Sequence, residues 1–282
     1  MKKRAVSGGL IVSLGAFFWS LNAPLVTFLT LDSIWICALR AAIASVVLLP
    51  FLRVRRLNWN WWMPVFFCSN CAVCLLVISA LHLTAPAVAI GMQYTAPMWL
   101  FLAGWIATGR FRVRAAAPVA VILAGIVLFM LSGTDKTSNL GNLLAFLSGP
   151  AFALMTVASR KAAGTNPLGL TALSNVFTAL VVPLLFPSCL SGLRVMTGTD
   201  WLVMAILGAV QVGAGYGLYN LGVQMVSPRR ASILALWEML LGPLWVALFF
   251  GKYPAVPVLI GYAFLLAGIL LDVYLNGKTD EE

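Results

Sequence analysis

Charge is scarce in this 282-residue sequence: only 9% of its residues are Asp, Glu, Lys or Arg, against about 25% in soluble domains. With 62% apolar residues and a mean hydropathy of +0.99, that shortage excludes a water-soluble globular protein. Histidine occurs once, at His82, and acidic residues number eight. No His/Cys/Asp/Glu set therefore has metal-ligand spacing, and no nucleophile–base pair suggests an intramembrane enzyme. The chain is expected to be a non-enzyme without a cofactor. Gly277-Lys278-Thr279 resembles the end of a phosphate-binding loop, but Asp272 stands where that motif needs glycine. The five cysteines (Cys37, Cys68, Cys71, Cys74, Cys189) all lie in or beside apolar stretches. An odd number so placed is no disulfide framework, and none is expected to be paired. On an apolar helix, Cys68-x-x-Cys71-x-x-Cys74 spreads its thiols around the surface instead of converging them on a metal.

Long apolar runs are what the sequence does have. A hydrocarbon core about 30 Å thick takes roughly 20 helical residues to cross. Runs between polar or Pro/Gly breaks give ten candidate spans: 8–29, 33–51, 61–81, 86–108, 115–132, 141–159, 168–187, 201–222, 229–250 and 255–275. They are too long and too continuously apolar for outer-membrane strands. They also leave no room for an extramembrane domain of ordinary size. Lys2, Lys3 and Arg4 precede an apolar run that reaches about Thr27, too long for a signal peptide, so a retained first helix is expected.

The net charge of +10 then reads as topology, not as nucleic-acid binding. With ten spans and an inner N-terminus, fourteen Lys and Arg fall inside, in clusters such as Arg53-x-Arg55-Arg56, Arg110-x-Arg112-x-Arg114 and Arg160-Lys161. Three, Lys136, Arg194 and Lys252, fall outside, and Arg40 lies within a span. The bias predicts cytoplasmic N- and C-termini.

The two halves echo each other. Ala80-Leu-His-Leu-Thr-Ala-Pro86 parallels Gly222-Val-Gln-Met-Val-Ser-Pro228, and 23 residues beyond each proline stand Gly109-Arg110 and Gly251-Lys252. An Ala-Gly-Ile triplet follows each, at 124–126 and 267–269, and Gly8–Ser20 aligns on Gly141–Ala153 without a gap. The expectation is an all-α integral membrane protein of two five-helix repeats, 1–136 and 137–282. An odd number of spans per repeat inverts the second copy.

The sequence resembles the ten-helix EamA family of the drug/metabolite transporter superfamily over nearly its whole length. The motifs carrying the resemblance are Gly15-Ala-Phe-Phe-Trp-Ser20, Leu39-Arg40, Thr84-Ala-Pro-Ala-Val-Ala with Tyr94-Thr-Ala-Pro97, and Leu236-Trp-Glu-Met-Leu-Leu-Gly-Pro-Leu-Trp245. Departures are Gly109-Arg110 and Gly251-Lys252 where the family often has Gly-Glu, and Met239 where proline often follows the glutamate. The resemblance implies a secondary transporter of small organic solutes in a bacterial inner membrane. It also implies a central cavity between the halves, lined mainly by the third, fourth, eighth and ninth spans.

Two ionisable residues lie deep in spans, where a charge costs about 2.5–3.5 kcal/mol on insertion scales. Glu238 reads as a ligand for a substrate ammonium or as a proton-coupling carboxylate, against the alternative of a hydrogen-bonded packing residue. Arg40 reads either as a structural group that snorkels or partners Asp32 or a helix end, or as a ligand for a substrate carboxylate. Neutral polar and aromatic candidates join them: Asn70 in the third span, Gln93 and Tyr94 in the fourth, Gln211, Tyr216 and Asn220 in the eighth, Trp237 beside Glu238, and Trp19 in the first. Such groups can hydrogen-bond a solute or hold an ammonium against aromatic faces, or equally bond neighbouring helices. The expected function is export or exchange of amino acids or related amine or cationic metabolites by alternating access, with proton coupling as an option. Import of a quaternary amine, proton-coupled drug efflux and a structural membrane subunit are the alternatives. Expected partners are a small solute and membrane lipid, with no nucleic acid, for a monomer or homodimer.

Overall fold

The computed structural model describes residues 2–57, 59–109, 113–131, 138–162, 166–222, 225–226 and 228–276. The side chains of 2–7, 97, 113–115, 129–131, 160, 220, 228–233, 272, 273 and 276 lie outside that description. Among the described residues there are helices and no strands.

Two short helices, α1 (Lys2–Ser20) and α2 (Asn22–Phe28), run end to end, followed by α3 (Ser33–Leu48) and α4 (Trp62–Leu83). Asp32 starts α3, its carboxylate accepting from the Ile34 and Trp35 N–H groups at 2.8 and 3.1 Å, which satisfies two of the free donors of the first turn. Next come α5 (Pro86–Gln93), α6 (Ala96–Thr108) and α7 (Val113–Leu131). Proline at 97 cannot donate to the Gln93 carbonyl, and the helix breaks at Tyr94–Thr95.

The second half begins with α8 (Asn139–Ala162) and α9 (Pro167–Leu185), the latter capped by Asn166, whose side chain accepts from the Gly169 N–H. A four-residue turn α10 (Gly192–Val195) leads to α11 (Gly198–Ala205), a π-helical segment (Ile206–Ala214) and α12 (Gly215–Gly222). The chain closes with α13 (Pro228–Phe250) and α14 (Val256–Asn276). Gly109 and Gly251, both at φ 63° in the left-handed region, follow the ends of α6 and α13. That conformation is what glycine there permits.

Six helical stretches are long and apolar enough to cross a membrane: Gly8–Phe28, Ser33–Phe51, Trp62–Leu83, Asn139–Ser159, Pro167–Leu185 and Gly198–Tyr219. Shorter apolar helices occupy Ala116–Leu128, Leu234–Phe250 and Val256–Leu271. The protein is a multi-pass, all-helical membrane protein. Leu, Val, Ile and Phe side chains such as Val46, Ile106, Leu184 and Phe249 are exposed, as a lipid-facing surface requires.

The helices interleave across the chain's midpoint. In one bundle α1 lies against α12 and α13, and α2 against α13; in a second, α8 lies against α4, α5 and α6. Between them α3 packs on α9, and α7 on α14. Small residues allow these approaches: a Cβ on Gly15 would fall 2.7 Å from the Tyr219 nitrogen and 2.9 Å from the Gly215 carbonyl. The two Ala-Gly-Ile triplets meet in the α7–α14 pair. A Cβ on Gly125 would lie 2.9 Å from the Gly261 carbonyl, and one on Gly268 3.1 Å from that of Pro118.

Candidate functional site

Glu238 lies midway along α13, only 6% exposed. Its helix neighbours turn elsewhere, Met239 into the core and Trp237 outward at 47% exposure, since successive helical side chains diverge by about 100°. Tyr94, at the break between α5 and α6, donates its hydroxyl to Glu238 Oε2 at 2.7 Å, with the Ala235 carbonyl as a second acceptor at 3.1 Å. A hydrogen bond to a charged group contributes about 1.5–3 kcal/mol, comparable with the insertion cost of the carboxylate. The three oxygens suit both protonation states. An ionised Glu238 accepts from Tyr94, whereas a protonated one can donate to the phenol oxygen while the phenol hydrogen turns to Ala235.

Arg40 projects from the middle of α3 and is 7% exposed. Its Nη1 donates to Asn22 Oδ1 on α2 at 2.9 Å and its Nη2 to Cys74 Sγ on α4 at 3.1 Å; Nε has no partner among the described residues. Asp32, the partner expected from sequence, is engaged instead in capping α3. The cysteine expectation is also corrected, because Cys37 and Cys74 are joined as a disulfide, with Cα atoms 6.1 Å apart. Cys37 lies one turn before Arg40 on the α3 face that meets α4, a juxtaposition no spacing within one helix reveals.

Arg40, Asn70, Cys74, Asn175, Thr178, Val212 and Tyr216 line a cavity of about 20 Å³, room for a water or two. Beside it Trp19 packs on Tyr216 and Tyr219, ring centroids 4.7 and 4.3 Å apart, its Nε1 buried without a partner among the described residues. Glu238 is within electrostatic reach of Arg40, Tyr94 and Tyr216. The π-helical segment brings Gln211 in, its Oε1 buried and without a partner among the described residues. Gly208 lets that segment approach α3, since a Cβ there would fall 2.5 Å from Ile43 Cβ and 2.9 Å from the Arg40 carbonyl.

Of the residues singled out from sequence, the structure gathers Glu238, Tyr94, Arg40, Asn70, Tyr216 and Trp19. It buries Gln93 and Gln211 close by in sequence to these. Trp237 faces away, and the Asn220 side chain lies outside the described residues. Asn22, Asn175 and Thr178 were missed, although each is a polar residue inside an apolar run. His82 is exposed at the end of α4, its Nδ1 3.1 Å from the Ile78 carbonyl. Among the described residues no His/Cys/Asp/Glu group could hold a metal.

A relative from Archaeoglobus fulgidus, described as an uncharacterized transporter, is 28% identical over 194 residues, 69% of each chain. A solved crystal structure shares the fold, with a TM-score of 0.62 at 21% identity over 97% of this chain and 99% of the other. Residues 139–274, just under half of the chain, match the EamA-like transporter family, and that segment supplies Asn175, Thr178, Tyr216 and Glu238 of the buried polar site.

Proposed function

We propose that the protein is a secondary transporter that exports or exchanges amino acids or related amine-bearing metabolites by alternating access. In this reading ten spans form two inverted repeats, 1–136 and 137–282, in a bacterial inner membrane with both termini cytoplasmic. The protein acts as a monomer or homodimer. The observation carrying it is the Tyr94–Glu238 hydrogen bond, a buried polar contact between the bundle containing α13 and the one containing α5.

Glu238 offers its charge to an ammonium group or to a proton, and exchange between the two is a coupling step that needs no further residue. Tyr94 keeps the carboxyl satisfied in either state. Pockets for small molecules usually enclose about 300 Å³ or more, and a cavity of about 20 Å³ is too small to take a whole solute. Loading then requires the bundles to part. Gly15 against Tyr219 within one bundle, and Thr84 Oγ1 donating to Asn142 Oδ1 at 2.6 Å within the other, favour each bundle moving as a body.

The test is counterflow of radiolabelled amino acids and amines in proteoliposomes containing only this purified chain. Saturable exchange of at least one is expected. Passive leak rates for every compound would refute the reading.

A further inference from the structure

The connection from α3 to α4 holds Arg53, Arg55 and Arg56, and neither it nor the stretch 159–170 contains an acidic residue. Its backbone is closely folded. Two short 3-10 turns, Leu49–Phe51 and Val54–Arg56, place the Arg56 N–H on the Arg53 carbonyl at 2.8 Å and the Leu57 N–H on the Val54 carbonyl at 3.2 Å. Leu57 is buried in the core. Two asparagine side chains fasten the connection to the second half of the chain. Asn166, capping α9, directs its amide nitrogen at the Phe51 and Arg53 carbonyls, 3.4 and 3.3 Å away, and Asn60 donates to the Lys161 carbonyl at the end of α8 at 2.9 Å. Side chains are left to face outward. Arg53 and Arg55 are exposed, and so are Phe51, Val54, Trp59 and Trp61, the two tryptophans by 67% and 79%. Lys161 is exposed as well, its Nζ 4.2 Å from the centre of the Trp62 ring.

We propose that this connection, with Lys161 beside it, is a binding site for an anionic phospholipid, Arg53 and Arg55 taking the headgroup phosphate while Phe51, Val54 and the two tryptophans meet the acyl chains near the headgroup. Tryptophans exposed at the end of a membrane-crossing helix settle at headgroup depth, which sets the neighbouring arginines level with lipid phosphates. A guanidinium fork pairs its N–H groups with phosphate oxygens, and basic clusters at the end of a span favour anionic lipid. The mixture of cations and large apolar side chains decides between a lipid and a free phosphate. A soluble anion satisfies the arginines and leaves Phe51, Val54, Trp59 and Trp61 in water, whereas a phospholipid covers both sets. A zwitterionic headgroup brings its own cation, which Arg53, Arg55 and Lys161 repel. Because Asn166 and Asn60 hold the connection against α8 and α9, the lipid meets a fixed surface. The site needs only a chain that crosses a bilayer, so it stands apart from the transport of amines.

The experiment titrates dioleoylphosphatidylglycerol and dioleoylphosphatidylcholine into the purified full chain in neutral detergent and counts bound lipids by native mass spectrometry, with melting curves on each variant. A basic residue near an anionic headgroup corresponds to about fivefold in affinity, so two correspond to about 30-fold. Wild type should prefer phosphatidylglycerol by about that factor, and Arg53→Gln with Arg55→Gln should lose it. Arg53→Lys with Arg55→Lys, which keeps the charge without the fork, should lose less. Arg194→Gln with Lys252→Gln removes the same charge from exposed positions elsewhere and should leave the preference unchanged. Inorganic phosphate should not displace the lipid. If the glutamine pair at 53 and 55 does not fold, the lysine pair and the comparison of the two lipids carry the test. Equal binding of both lipids, equal losses in the two glutamine pairs, or displacement by inorganic phosphate would overturn the proposal.

Discussion

Replacing Glu238 by glutamine tests the coupling role most directly, because the structure separates what it changes from what it keeps. Glutamine retains the volume and an oxygen for the Tyr94 hydroxyl, now 2.7 Å from Oε2. The charge-assisted bond, about 1.5–3 kcal/mol, becomes a neutral one of about 1 kcal/mol, a loss of about 0.5–2 kcal/mol. Against it stands the desolvation of a buried carboxylate, several kcal/mol, which the amide no longer bears. The two terms oppose each other, so the melting temperature should stay within a few degrees of wild type or rise. Transport should not survive: without a charge, the group neither holds an ammonium nor exchanges it for a proton. The expected loss in counterflow at subsaturating substrate is about 10- to 150-fold, the factor equivalent to one charge-assisted contact.

Tyr94→Phe completes the reasoning. It removes the donor to Glu238 and leaves the carboxylate as the buried partner without one, so flux should fall by about tenfold or more. If the two side chains act as a unit, the double variant should transport no worse than the poorer single variant. Proteoliposome counterflow and melting curves on the same preparations decide the matter. Wild-type flux in Glu238→Gln, or strictly additive losses in the double variant, would refute the coupling role and leave helix packing as the account of Glu238.

Gly15→Val should lower stability by about 1–3 kcal/mol through overpacking, since its Cβ would sit 2.7 Å from the Tyr219 nitrogen. Gly104→Ala, where an added Cβ meets nothing within 4 Å, should be neutral or slightly stabilising; melting curves of the pair check the contact. For topology, single cysteines replacing Arg55 and Arg194 in a background without native cysteines should be labelled by an impermeant maleimide from the cytoplasmic and the outer side respectively. Labelling of position 55 in intact cells would contradict the expected orientation.

The helical spans were legible because the signal is compositional: continuous apolar runs bounded by polar or Pro/Gly breaks need no knowledge of neighbours. The six stretches long and apolar enough to cross a membrane match runs read from sequence within a few residues. The break at Tyr94–Thr95 was half visible in Pro97. The π-helical segment was not, since the contacts beside it, Gly208 with Ile43 and Gly213 with Val47, lie between helices. In the site, burial of a lone glutamate and a lone arginine was legible from insertion cost. Their partners were not: Asn22 with Arg40, Tyr94 with Glu238, and Cys37 with Cys74 are contacts between helices. Trp237 lies apart from the carboxylate for a different reason. Adjacency in sequence to Glu238 puts it about 100° away around α13, on the exposed side.

On the proposed mechanism, the division that matters for motion also differs from the one the expected repeats would suggest. The duplication expected from sequence draws a boundary near residue 136, yet close approaches cross it. Gly15 on α1 meets Gly215 and Tyr219 on α12, and Gly141 on α8 meets Leu83 on α4. Trp245 Nε1 donates to Ser20 Oγ at 3.0 Å, again joining the ninth expected span to the first. Rocking one sequence half against the other would separate all of these, with backbone atoms in near contact and no room to slide. Parting the α1–α2–α12–α13 bundle from the α4–α5–α6–α8 bundle separates none of them, and it does break the bond between Tyr94 and Glu238. On the proposed mechanism, the group that exchanges cation for proton is thus also the group whose state sets how firmly the two moving bodies are held together.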